Sequence, residues 1–352
     1  MSTKWTEKDV ETLINLRNAG KTPREIAETL QKSYDAVCSK VSRIGAPPQT
    51  PAAPPVVKVK DEPKLADAKQ LTPPEFGHLD LSYINSGDWI RFGLVADTHL
   101  CCKEERLSEL HAQYDLFQAE GITEVFHAGN IVDGYLHRIN GASVFDTTID
   151  GQAQYVVDNY PAREGIVTNF ITGDDHDGVW FSPGFNMGGY IDMLARNQGR
   201  TDLRYIGHVE ADVEIKTKGV EGEVSTKIKI QHPGGGSAYA RSYTGQKQIE
   251  ALEGGEKPDI LVQGHYHVSN YMQERNVHVV SMPGFQDQTI FARKKRLRME
   301  VGGSILEFKV SPLNGSVTRC RVEFTRYFTR GYYKAYLKSD KKVLKGHLVI
   351  NK

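Results

Sequence analysis

Five short stretches carry residues able to hold metal ions, and each follows an apolar, β-rich run. Asp97-Thr98-His99 comes directly after FGLVA, and Gly129-Asn130-Ile131-Val132-Asp133-Gly134 after EVFHA. Gly173-Asp174-Asp175-His176-Asp177 follows VTNFIT, His232 follows KIKIQ, and Gly264-His265-Tyr266-His267 follows DILVQ. In a D-x-H or H-x-H pair on irregular backbone just past a strand, both side chains can turn toward one ion. Carboxylates and imidazoles together suit manganese, iron or zinc. Two such ions about 3.5–4 Å apart can activate water and clamp a phosphoryl oxygen, while an unligated histidine serves the leaving oxygen. Any one stretch alone reads more readily as a turn. Five in series do not.

Positioning them requires strands that end at one edge of a sheet, where open α/β folds place their sites. The hydrophobic pattern predicts strands over residues 91–96, 123–127, 166–171, 211–216, 225–231, 260–263 and 277–281. It predicts helices over 104–120, 191–197 and 240–252, and a hairpin turn at Leu313-Asn314-Gly315-Ser316. Strands alternating with helices, then strands in succession, predict an α/β layered sandwich with mixed sheets. His127 and His208 lack a motif partner and read as structural.

Ahead of this core, residues 5–45 read as three short helices. Thr6 caps the first, and Ser33 caps the third. Thr22-Pro23-Arg24-Glu25 has the form of a capping box with Pro at the first helical position. Residues 46–88 hold eight prolines without periodicity and read as a flexible linker. The expected organisation is therefore a helical module at 1–45, a linker at 46–88 and a core at 89–290. A basic, β-rich segment at 291–352 completes or flanks that core.

The 352-residue chain balances 44 Lys plus Arg against 44 Asp plus Glu, so its formal net charge is zero. That zero conceals +2 over residues 1–45, −14 over 46–290 and +12 over 291–352. Hydrophobic residues at 39% and charged residues at 25% exclude a disordered chain. No run reaches the roughly 18 apolar residues of a membrane span. The start, MSTKWTEKDV, lacks a signal-peptide core, and Cys38, Cys101, Cys102 and Cys320 form no CxxC pair. Both features predict a cytoplasmic protein with no membrane partner.

The order of the five motifs resembles the calcineurin-like metallophosphoesterase superfamily, whose pattern runs D-x-H, G-D-x-x-D, G-N-H-D/E, H, G-H-x-H. The resemblance covers about residues 90–285. It implies a four-layer α/β/β/α sandwich and two divalent ions, manganese being expected, with magnesium, iron or zinc as alternatives. Carried over by position, Asp97, His99 and His267 would bind the first ion, and Asp175, His232 and His265 the second. His176 would serve the leaving group, with Asp177 behind it. Two positions depart from the pattern. Asn130 stands where the family has its bridging Asp, and Asp175 where it has Asn. Either Asp175 compensates for Asn130, or Asp174 or Asp133 takes the bridging role.

The N-terminal module resembles helix–turn–helix domains of the GcrA and Myb-like kind in Trp5-Thr6-Glu7, Glu25-Ile26-Ala27 and Ala36-Val37-Cys38-Ser39-Lys40-Val41. That likeness implies a third helix in the DNA major groove, with Ser39, Lys40, Ser42 and Arg43 as contacts. A second basic feature, Arg293-Lys294-Lys295-Arg296 with Arg298, precedes Tyr327, Phe328, Tyr332, Tyr333 and Tyr336. Basic residues interleaved with aromatics suit single-stranded nucleic acid. The GNIVDG, GDDHDG and PGFQDQ stretches are similar to phage and bacterial proteins of the superfamily assigned to DNA repair as exonucleases. That similarity implies DNA, single- or double-stranded, as partner and substrate, in the host cytoplasm if the chain is phage-encoded. The expected function is a metal-dependent phosphodiesterase or nuclease acting on DNA. The alternatives are a phosphomonoesterase acting on protein or small molecules, and a DNA-binding relative weakened by Asn130. The oligomeric state stays open, a homodimer included.

Overall fold

The structure, a computed structural model, describes residues 5–44, 77–83, 88–136, 141, 143–181, 184–236 and 238–328, without the side chains of 42–44 and 83. The side chains of Ser42 and Arg43, and all of Tyr332, Tyr333 and Tyr336, lie outside the described residues. The chain divides into two compact units, Met1–Gln70 and Leu71–Lys352.

In the first unit, α1 spans Glu7–Asn18, α2 Pro23–Thr29 and α3 Tyr34–Ile44. Thr6 and Asp9 exchange side-chain and backbone bonds at the start of α1, and Thr22 and Glu25 do the same at α2. Each exchange satisfies two amide donors that a helix start leaves unpaired. Ser33 accepts from the Ala36 amide at 3.3 Å. Leu13, Ile26, Ala27 and Val37 form the buried core. Lys40, on the face expected to meet DNA, places its ammonium over the Trp5 ring, 5.6 Å from its centre.

The second unit runs β1 (Gly77–Tyr83), β2 (Ile90–Val95), α4 (Leu107–Ala119), β3 (Glu124–Ala128), α5 (Ile149–Asn159), β4 (Val167–Thr172) and α6 (Met187–Asn197). It continues with β5 (Leu203–His208), β6 (Glu210–Lys218), β7 (Glu223–Gln231), α7 (Arg241–Ala251) and β8 (Ile260–Gln263). It ends with β9 (Asn270–Glu274), β10 (Val277–Ser281), α8 (Ile290–Lys295), β11 (Val301–Val310) and β12 (Val317–Tyr327).

Two six-stranded mixed sheets result, ordered β1-β6-β7-β8-β10-β9 and β12-β11-β2-β3-β4-β5. They pack face to face: Phe92, Leu94 and Phe126 from one sheet share a core with Val213, Ile228 and Ile230 from the other. On the outer face of the second sheet, Tyr114, Val156 and Ile191 of the helices cover Val125 and Phe170. On the outer face of the first, Ile249 of α7 covers Leu261 and Val279. The architecture is the α/β/β/α sandwich. β2 and β8 are covered on both faces and so read as continuous apolar runs, whereas β6 alternates buried and half-buried positions.

Two boundaries differ from the sequence reading. Residues 77–83, read as linker, form strand β1, parallel to β6 with Gly77 opposite Ala211. The GHLDLSY stretch does alternate, but neighbouring prolines mask it. The helix expected from residue 104 begins at Leu107, because the Arg106 amide donates to the Phe285 carbonyl and Glu105 bridges Gln286. Of the two alternatives for the C-terminal basic segment, completing the core or flanking it, β11 takes the first, lying antiparallel to β2 in the core sheet. Elements α5, β5, β9 and α8 had no predicted counterpart. Their sequences mix polar and apolar positions without a clear period. No helix among the described residues is long and apolar enough to cross a membrane.

Candidate metal centre

The loops after β2, β3, β4, β7 and β8 converge. β2, β3 and β4 are parallel neighbours in one sheet, and β7 and β8 are parallel neighbours in the other. Within each sheet these strands therefore end at one edge, and the grouping of Asp97 and His99 with His267, and of Asp175 with His232 and His265, shows that the two edges meet. Asp97, His99, Asn130, His265 and His267 all adopt left-handed backbone, with φ between 44° and 77°. That conformation costs a non-glycine residue roughly 1–2 kcal/mol, and functional sites are where such strain collects.

Among the clusters of potential ligand atoms, two match the expected sets: Asp97 with His99 and His267, and Asp175 with His232 and His265. Asp97 is fully buried. Its Oδ2 accepts from the His265 amide at 2.8 Å. Its Oδ1 has no hydrogen-bond partner and lies 3.5 Å from His267 Nε2, 3.7 Å from His99 Nε2 and 3.9 Å from His232 Nε2. Asp175 Oδ1, also unpartnered, lies 3.6 Å from His232 Nε2, and Asp175 Oδ2 lies 3.4 Å from His265 Nδ1. Asn130 Oδ1 is a third buried, unpartnered oxygen. Gly173 makes room for it, since a Cβ there would stand 2.6 Å from Asn130 Oδ1 and 3.1 Å from Asp175 Oδ1.

The outer nitrogen of each ring fixes what the inner one offers. His232 Nδ1 donates to the Ala128 carbonyl at 2.7 Å, and His265 Nε2 donates to the Gly235 carbonyl at 2.7 Å. His99 Nδ1 donates to Asp133 Oδ1 at 2.8 Å. In the neutral ring each of these bonds leaves a lone pair on the nitrogen facing the cluster, the arrangement a metal ligand needs. His99 Nε2 and His267 Nε2 point at one another across 3.2 Å. Buried, unpartnered oxygens beside imidazole lone pairs fit divalent cations.

The electrostatics agree. Burial alone would raise the Asp97 and Asp175 carboxyls, but the surrounding histidines hold both well below the usual carboxylate range. Burial would lower His232, yet Asp175 and Asp97 raise it to about 9. Burial depresses His267 to about 3. Without a cation the carboxylates draw a proton into the cluster, and a divalent ion satisfies the same oxygens.

His176 lines the cavity of about 460 Å³ that opens over the clusters. The residue behind it is Asp133, not Asp177. His176 Nδ1 donates to the Asp133 carbonyl, and the Asp133 carboxylate raises the ring to about 9 against the effect of burial. Asp177 instead accepts from the Gly173 amide at 2.7 Å and the Ile131 amide at 2.9 Å, tying two site loops together. Burial pushes its carboxyl up to about 7.

The alternatives for the bridging position separate as well. Asp133 sits between His99 and His176 and takes a third bond from Gln286 Nε2 at 3.2 Å. Asp174 is exposed and belongs to no ligand cluster among the described residues. The Ala128 and Gly235 carbonyls were invisible in sequence, being backbone groups. Gln286 had a signal only in the PGFQDQ stretch.

The basic run divides. Lys295 and Arg298 line the cavity over the clusters, whereas Arg293 and Lys294 do not. His127 Nε2 meets Thr98 Oγ1 at 3.0 Å under the site. His208 stacks on Phe181, away from both clusters.

No protein-family model matches this sequence, and no curated protein does. Among solved structures, the chain is similar to an archaeal phosphodiesterase at 12% identity, over 67% of this chain and 100% of that one, with a TM-score of 0.33. It is similar to the Plasmodium inner-membrane-complex anchor GAP50 at 12% identity, over 71% and 94%, with a TM-score of 0.38. It is similar to the E. coli phosphoesterase Yfce at 9% identity, over 66% and 98%, with a TM-score of 0.32.

Proposed function

We propose that this chain is a metal-dependent phosphoesterase that hydrolyses phosphodiester bonds, with DNA as its substrate. The observation that carries the reading is the set of buried, unpartnered atoms turned toward one another from separate loops: Asp97 Oδ1, Asn130 Oδ1, Asp175 Oδ1 and His232 Nε2. Asp97, His99 and His267 would hold one ion, and Asp175, His232 and His265 the other. Divalent ions there supply Lewis acidity toward a phosphoryl oxygen and acidify water. With Nδ1 committed to Asp133, His176 has Nε2 left to give a proton to the leaving oxygen. Asp177 holds the loops of Ile131 and Gly173 at fixed separation, so that the ligands stay in place.

The DNA part of the reading is supported by charge. A carboxylate-rich centre repels a polyanion, and the basic C-terminal segment provides the compensating attraction. Lys295 and Arg298 bring part of that charge to the cavity itself. The capped three-helix module supports attachment to DNA through α3. The test is a manganese-dependent assay of bis(4-nitrophenyl) phosphate, 4-nitrophenyl phosphate and single- and double-stranded DNA, with His265→Ala as control. Turnover of the diester and of DNA is expected. Turnover of the monoester alone would give the phosphomonoesterase, and tight DNA binding with no turnover would give the weakened relative.

A further inference from the structure

Beside the cavity over the ligand clusters lies a second one, of about 420 Å³. The two share Tyr266, Lys295, Leu297 and Arg298 along their common wall. The second cavity adds Arg241, Arg296 and the fully exposed Tyr239, and no acidic side chain lines it.

Its charge is held by a buried carboxylate. Glu300 is 5% exposed. Its Oε1 lies 2.7 Å from Arg298 Nη2, 2.5 Å from Arg326 Nη2 and 3.8 Å from Arg241 Nη1. Its Oε2 accepts from the Ser269 amide at 3.0 Å. One carboxylate cannot neutralise three guanidiniums, and all three remain about half exposed. Glu300 therefore orders the arginines while leaving them net positive. Lys295 and Arg296, at the end of α8, add to the same field.

We propose that this second cavity is a subsite for the nucleotide next to the reacting diester, its phosphate on Arg241, Arg296 and Arg298 and its base against Tyr266 or Tyr239. The substrate class is then a single-stranded polynucleotide. The inference rests on the phosphoesterase reading for the identity of the neighbouring cavity. A phosphomonoester, or a peptide with one phosphorylated side chain, has a single phosphate and leaves these cations unused. A strand carries a phosphate and a stackable base at every step, which matches a cavity lined by both cations and aromatic rings.

The test is binding of fluorescein-labelled tetrathymidylate to the full chain in EDTA, followed by anisotropy across a salt series. Arg241→Gln with Arg296→Gln is expected to weaken binding about tenfold and to flatten the slope of log Kd against log salt by about 0.7 per lost contact. Lys295→Gln, on the shared wall, serves as an independent variant with a loss in the same direction. Arg293→Gln with Lys294→Gln removes the same charge from residues that line neither cavity, and is expected to change Kd less than about twofold. Equal losses in the two double variants, or none in the first, overturn the subsite. So does a singly phosphorylated peptide that displaces the label at lower concentration than unlabelled tetrathymidylate. Bis(4-nitrophenyl) phosphate turnover, measured alongside, separates the two readings. Absence of turnover with the binding pattern intact sinks the phosphoesterase, and turnover with unaltered binding sinks the subsite.

Discussion

His176 Nδ1 donates to the backbone carbonyl of Asp133 at 2.8 Å and stands 3.1 Å from the carboxylate of the same residue. Two oxygens of one residue thus fix the ring's tautomer and orientation. His176→Ala should lower kcat on a diester by about a hundredfold or more while metal content, read by mass spectrometry, stays near that of the parent. Asp133→Asn should cost about 10–100-fold, because the ring remains but loses its orienting anion. Unchanged kcat in His176→Ala removes the proton-donor role.

His265 supplies both a ring nitrogen beside Asp175 and the amide that binds Asp97 Oδ2. His265→Ala keeps the amide and deletes the ring. The expected result is loss of the ion held with Asp175 and His232, and of turnover with it. Ions that bind only the folded state stabilise it by mass action. EDTA should therefore lower the Tm of the parent, and lower that of His265→Ala by less. Equal shifts in the two proteins would count against His265 as a ligand.

Asn130 offers a neutral oxygen to a space already facing Asp97 and Asp175. Asn130→Asp adds a third carboxylate to that space, which without a cation should cost about 1–3 kcal/mol of stability. With manganese the order should reverse, since three anions hold two dications better than two do. Thermal melts with and without metal check this. A variant more stable than the parent in EDTA contradicts the placement of Asn130.

Gly173→Ala tests the packing of the centre. Its Cβ would lie 2.6 Å from Asn130 Oδ1 and 2.7 Å from His232 Cδ2, contacts that force the ligands apart. The cost should be about 1–3 kcal/mol in Tm-derived stability, accompanied by reduced metal content. Loss of metal at unchanged stability would show that the ligands move more freely than this packing allows.

His127 predicts a pH dependence of stability. It is fully buried, and burial lowers its pKa from 6.5 to about 3. Thr98 donates its single hydroxyl proton to the Ile131 carbonyl, so His127 Nε2 must donate to Thr98, and Nδ1 stays bare without a partner. The folded state therefore binds the His127 proton less readily than the unfolded state. Its contribution to stability is complete above about pH 6.5 and is lost as pH falls toward 3. Urea melts of His127→Gln should show a flatter decline over that window. A slope equal to the parent's would place the acid sensitivity elsewhere.

Spacing alone marked the stretches that carry candidate ligands. A D-x-H or G-H-x-H group after an apolar run marks a loop at the end of a strand, and five such loops in series require a common edge. The grouping of Asp97 with His99 and His267, and of Asp175 with His232 and His265, was what the family resemblance implied, and the structure brings both sets together. The apolar runs also placed β2, β3, β4, β8 and β10, because strands covered on both faces announce themselves by composition.

Roles decided by backbone geometry and distant contacts were not legible. The resemblance put Asp177 behind His176, but successive side chains in a turn diverge. Its carboxylate went to the Ile131 and Gly173 amides, while Asp133, over 40 residues away, reached the histidine. The tautomers of His232 and His265 depend on the Ala128 and Gly235 carbonyls, which every residue possesses and no sequence distinguishes. Strand β1 needed β6 beside it to become a strand, since its alternation is shorter than the proline-rich stretch that hides it. The basic run of α8 was visible as charge. Tertiary packing decided which of the run's cations line a cavity, Lys295 and Arg296 but not Arg293 and Lys294. Residue type and spacing set the chemistry available to this chain, and long-range packing in a sandwich of two sheets decided which atoms meet.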